Sequence, residues 1–96
     1  MNNFQMTCIK HCEKLFDEIP DLAFSGFREV VGKTQTYCVA ELYKFNSKFE
    51  VYIYTDEAGF LSKNNEWIIC EKPDFDSENE LLTEFVSKLQ AELSKP

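Results

Sequence analysis

The chain has one histidine in 96 residues, no run of apolar residues longer than four ("YCVA", "WIIC"), no cysteine pair at C-x2-C spacing, and fewer bases than acids. Each shortage excludes something. With His11 alone and no G-x-S-x-G, no Ser-His-Asp set or similar nucleophile, base and orienter can be assembled from the sequence. Apolar runs this short cannot span a bilayer, which takes about 20 consecutive residues as a helix. The opening "MNNFQM" has neither a basic leader nor a long apolar stretch. The expectation is a soluble protein without an export signal or a membrane partner.

Bases are scarce as well: Lys and Arg number 10 against 17 Asp and Glu, a net charge of −7. From residue 71 to 96 there are seven acids and three bases. Nucleic-acid phosphates are held by clustered Lys and Arg, so this sign argues against direct nucleic-acid binding and for a basic protein partner. The order helix, strands, helix derived below resembles that of double-stranded-RNA-binding domains in layout only. The closing helix here opens on acids where such a domain needs bases.

The four cysteines, Cys8, Cys12, Cys38 and Cys70, sit in a chain of 44% hydrophobic residues. A chain so composed can build a core without disulfide staples, so the thiols read as reduced and the compartment as cytoplasmic. Cys8, His11 and Cys12 in "TCIKHCEKLF" would serve either a metal or a thiol nucleophile. Structural zinc draws on C-x2-C knuckles in loops, whereas here the spacing is C-x3-C on a helix, with Cys38 and Cys70 placed singly on strands. A nucleophile needs an exposed sulfur of lowered pKa, and both thiols fall within the apolar stripe of their helix. They are read as small core residues; a small thiol or metal protein built on Cys8, His11 and Cys12 is the weakest of three alternatives. "GFREVVGKT" (26–34) has five residues between its glycines, one more than a phosphate-binding loop allows, and bulky strand formers fill the gap. No cofactor is expected, and the chain is read as a non-enzyme.

What is present is periodicity. Asn2 and Gln5 form a capping-box pattern, and Phe4, Cys8, Cys12, Leu15, Phe16 and Ile19 recur at three- and four-residue steps until Pro20. That predicts an amphipathic helix. "FSGFREVV" and "TQTYCVAELYKF" read as strands flanking a tight turn at Gly32-Lys33. "FEVYIYTD" and "NEWIICEK" supply two more, with a short additional strand around Phe60 and Leu61 as an option. Pro73 stops the last strand; Ser77 with Glu80 offers a second capping box, and Leu81, Leu82, Phe85, Leu89 and Leu93 keep helical spacing. The fold predicted over 1–96 is a single α+β domain: N-terminal helix, four- or five-stranded antiparallel sheet, C-terminal helix, both helices on one face.

A two-residue loop at Asn46-Ser47 would pair Leu42 with Val51 and Ala40 with Ile53 on one face. On the other face Tyr43 would meet Glu50, Glu41 would meet Tyr52 and Val39 would meet Tyr54. The acids at 41, 50 and 56 mark this second face as solvated, yet it also carries Tyr37, Tyr43, Tyr52, Tyr54 and Trp67. Tyr and Trp are frequent interface anchors, and carboxylates around them steer a basic partner. The candidate partner-binding residues are therefore Tyr37, Glu41, Tyr43, Glu50, Tyr52, Tyr54 and Trp67, joined by Asp74, Asp76, Glu78 and Glu80 from the acidic start of the last helix. The expected function is that of a non-catalytic inhibitor or immunity-type protein, of the kind mobile elements also encode, occluding a basic nucleic-acid-handling protein. The alternative is a structural or adaptor subunit that forms a homodimer through the aromatic face.

Overall fold

In a computed structural model, which describes residues 1–95, helix α1 (Asn3–Asp17) starts where the sequence sets it. Asn2 caps it, its side chain accepting from the Gln5 backbone at 2.8 Å while Gln5 Oε1 accepts from the Asn2 backbone at 3.0 Å. Gln5 also reaches across the fold. It is buried, and its Nε2 donates to the Thr36 carbonyl at 2.9 Å and the Ile53 carbonyl at 3.4 Å, so one amide both caps α1 and fastens it to two strands.

Six strands follow: β1 (Leu22–Phe24), β2 (Arg28–Val31), β3 (Thr36–Lys44), β4 (Ser47–Ile53), β5 (Glu57–Leu61) and β6 (Trp67–Glu71). They form one antiparallel sheet in the order β1-β3-β4-β5-β6, with β2 also on β3. The count exceeds the four or five expected because β5 forms in full and a further strand, β1, forms ahead of β2, ending at Phe24, the first residue of "FSGFREVV". Phe24 pairs with Leu42 and Arg28 with Val39, so three residues face two across the ladder, which is a β-bulge. Gly26, at φ 124°, supplies the backbone turn that a side chain would resist. The extra residue lets Phe24 and Phe27 both face α1, where Phe24 meets Phe16 at 4.8 Å and Phe27 at 5.6 Å.

Two hairpins depart from expectation. Val31 pairs with Thr36, so the loop after β2 has four residues, closed by Gly32 N–H donating to the Gln35 carbonyl at 3.0 Å, rather than the two-residue turn at Gly32-Lys33. Between β3 and β4 the loop is Phe45-Asn46, not Asn46-Ser47, because Lys44 pairs with Ser47. Every partner predicted across that hairpin is thus displaced by two residues: Leu42 faces Phe49, Ala40 faces Val51, Glu41 faces Glu50 and Val39 faces Tyr52. A shift of two preserves the face of each side chain. In the observed register Phe49 is buried opposite Leu42, and by parity it would face the core in the expected register as well. The observed loop places Phe45 in left-handed backbone at φ 55°, which costs about 1–2 kcal/mol.

Beyond β6, Pro73 lies in a 3-10 turn (Lys72–Asp74), and α2 (Glu78–Leu93) begins at Ser77, whose hydroxyl accepts from the Glu80 backbone at 3.1 Å. The reciprocal half of the expected capping box goes elsewhere: Glu80 accepts from the Asp76 backbone at 3.3 Å. Both helices pack on one face of the sheet. Their apolar stripes close a core with Cys38, Ala40, Leu42, Phe49, Val51, Ile53, Ala58, Phe60 and Cys70. Cys8 and Cys12 are fully buried in it and all four thiols are free. Among the described residues, no helix is long and apolar enough to cross a membrane.

Candidate functional site

The face of the sheet turned away from the helices is set by parity. Phe49, Val51 and Ile53 are buried beneath the helices, so Glu50, Tyr52 and the residue just past the strand, Tyr54, point the other way. On β3 the same alternation turns Tyr37, Val39, Glu41 and Tyr43 outward. The four rings of Tyr37, Tyr52, Tyr54 and Trp67 touch in series. Tyr37 lies 5.2 Å from Tyr54, Tyr54 stacks on Tyr52 at 6.3 Å, and Tyr52 meets Trp67 edge to face at 5.3 Å.

Gly59 makes the last contact possible. It pairs with Tyr52 on one side and Ile69 on the other, and a Cβ placed on it would stand 2.9 Å from the Trp67 ring and 3.0 Å from the Ile68 carbonyl oxygen. The indole therefore lies across a strand position where only glycine leaves room. Under the rings Val39 is buried, at 2% exposure, although it belongs to the outer face. The rings thus form a thin apolar layer of their own, but Trp67 and Tyr43 remain 44% exposed at its border.

Carboxylates are built into this layer. Glu41 and Glu50 are direct cross-strand partners, an arrangement in which like charges repel. Each takes a phenol from its own strand: Tyr43 donates to Glu41 at 3.0 Å and Tyr52 donates to Glu50 at 2.6 Å. Tyr43's hydroxyl, then Lys48 at 3.5 Å, holds the Glu41 carboxyl below its ordinary range. The Tyr52 phenol is pushed up to about 12, first by its bond to Glu50 and then by burial. The Tyr43 phenol is raised by its bond to Glu41, and that of Tyr54 by burial.

Two acids on this face escaped the sequence reading. Glu57 and Glu71 are paired across β5 and β6, and burial, then Glu71 and Asp56, raises the Glu57 carboxyl. Asp56, expected from the sequence to mark this face, lies instead in the turn before β5, where its carbonyl accepts from the Lys72 backbone at 3.2 Å. The missed signal was the alternation of "EAGFL", legible only once it is taken as a full strand. Phe45 was also missed. It stands 78% exposed at the tip of the β3–β4 hairpin, in a backbone conformation a bulky residue seldom adopts.

The structure brings Tyr37, Glu41, Tyr43, Glu50, Tyr52, Tyr54 and Trp67 onto one face. It does not bring the second acidic group to them. Asp74 lies in the 3-10 turn, Asp76 follows it, and Glu78 and Glu80 open α2, in the helical layer that covers the opposite side of the sheet. There Asp74 to Glu80 act locally, at the positive end of α2, where acids are favoured. His11 is exposed on α1, its Nδ1 2.8 Å from the Thr7 carbonyl oxygen, while Cys8 and Cys12 face the core. The Cys12 thiol is raised well above its ordinary value by its hydrogen bond with Cys8 and by burial. Among the described residues, no group of three or more His, Cys, Asp or Glu side chains is arranged to hold a metal ion. Neither a family model, nor a curated protein, nor a solved structure matches this chain.

Proposed function

We propose that the protein is a non-catalytic binding module whose outer sheet face docks a basic protein, with inhibition by occlusion as its mode of action. The observation that supports this reading best is the ring layer from Tyr37 to Trp67 with the Glu41–Glu50 pair set into it. Large rings fixed by their neighbours give contact area at little entropic cost, and the carboxylates select the sign of the partner. A nucleic-acid-handling enzyme with a basic surface is the partner class that fits the net charge of −7. An immunity-type inhibitor is the corresponding biological role.

Homodimerisation through the same face is the competing reading, and charge disfavours it. A twofold axis through the face would set the acids of one copy, Glu41, Glu50, Glu57 and Glu71, near those of the other, with Lys48 and Arg28 as the main compensating bases. Sedimentation of the wild type, together with affinity capture by wild type and by Tyr52→Ala plus Trp67→Ala, separates the two. The proposal expects a monomer, and a basic protein retained by the wild type but lost from the double variant. A stable dimer that the double substitution dissociates would sink it.

A further inference from the structure

We infer that the part of the outer face where Tyr52 joins Glu50 to Trp67 seats a guanidinium group, so that the partner presents an arginine there. The inference rests on the docking face proposed above and specifies what the face selects. Tyr52 links the two groups: its hydroxyl donates to Glu50 at 2.6 Å, and its ring meets the Trp67 indole edge to face at 5.3 Å. Leu61, half-buried, is the cross-strand partner of Trp67 on the same face.

The charges of the two central acids are not equivalent. Glu41 already has a cation in Lys48, at 3.5 Å, and a phenol in Tyr43. Glu50 has the phenol of Tyr52 on Oε2 and, among the described residues, no ion pair. The short bond at 2.6 Å fixes the carboxylate in orientation beside the rings, directly across from another acid. A cation at Glu50 would relieve that repulsion.

The shape favours arginine over lysine. A guanidinium is planar, stacks on an indole face and pairs with a carboxylate through two parallel N–H donors, whereas an ammonium is a strongly hydrated point charge with no face to stack. Trp67, at 44% exposure, leaves part of its ring open to such stacking.

Trp67 is the only tryptophan, so tryptophan fluorescence reports on the surroundings of this ring. The test titrates the protein at low ionic strength with a hexa-arginine peptide and with a hexa-lysine peptide of equal charge. Hexa-arginine is expected to shift Trp67 emission saturably and to bind about two- to fivefold more tightly than hexa-lysine, the ratio of one exposed cation–π contact. Glu50→Gln, which keeps an acceptor for Tyr52, is expected to weaken hexa-arginine binding by about two- to fivefold. Glu13→Gln plus Asp17→Asn, which removes two charges from the exposed side of α1, is expected to change it less. Equal affinity for the two peptides, or a larger effect from the α1 variant than from Glu50→Gln, would overturn the inference. In that event a basic protein still lost on Tyr52→Ala plus Trp67→Ala leaves the docking face standing without its arginine preference. If that protein is retained by the double variant, the docking face falls too.

Discussion

Tyr52 donates its phenolic hydroxyl to the Glu50 carboxylate two residues earlier on the same strand, at 2.6 Å. This bond couples an ionisable ring of the outer layer to the acid beside it, and it gives the layer a titration signature.

The Tyr52 phenol ionises at about 12 in the folded protein, against 10 when unperturbed. The folded value is the higher one, so the associated stability is fully present below pH 10 and is lost as pH rises from 10 through about 12. Absorbance titration of the four tyrosines should show a late phenolate step near pH 12 that is absent in Tyr52→Phe. In Glu50→Gln the step should move down, because a neutral amide accepts the bond without opposing the phenolate charge. An unchanged late step in both variants would refute the assignment.

Replacing Gly59 by alanine forces a methyl group against Trp67 at 2.9 Å and the Ile68 carbonyl oxygen at 3.0 Å. The half-exposed indole can swing outward and the backbone oxygen cannot move as easily. Gly59→Ala should therefore red-shift Trp67 emission and destabilise the protein by about 1–3 kcal/mol, the usual cost of an added methyl in a filled site. Denaturant melts followed by tryptophan fluorescence read both effects.

Cys12→Ser puts a hydroxyl where the Cys12 side chain has no solvent exposure. An expected loss of about 1–3 kcal/mol follows from the poorly satisfied buried hydroxyl. In the native wild type, a thiol reagent at neutral pH should modify none of the four cysteines within minutes, and all four after denaturation. Rapid native labelling of Cys8 or Cys12 would reopen the thiol-nucleophile alternative.

Gln5→Ala removes a cap acceptor and two bridging donor contacts with a single substitution, leaving the Thr36 carbonyl without its 2.9 Å partner. The expected cost is about 2–3 kcal/mol, above the ~1 kcal/mol of an ordinary lost cap. Gln5→Glu keeps the acceptor and loses the donor, so thermal melts of the two variants separate the cap from the bridge.

Glycine and turn chemistry mark where sequence reading faltered. Asn46 and Ser47 have the composition of a hairpin loop, yet the loop is Phe45-Asn46, because Lys44 pairs with Ser47 and the strand register overrides local turn preference. The division of β1 from β2 at Gly26 depended on three aromatic rings meeting at the end of α1, a contact between residues up to eleven positions apart that no local pattern encodes.

From sequence alone came both helices with their caps, the α+β class, the inward thiols and the outward tyrosines. Helical and strand periods are local, and a register error of two residues does not change the side on which a residue lies. The tertiary structure decided the partners: Glu41 against Glu50, Trp67 across Gly59, Glu57 against Glu71, and Asp74 to Glu80 on the far side of the sheet. Which strands lie side by side, and in what register, is fixed by the packing of residues distant in the chain. The candidate site consists of just such cross-strand relationships.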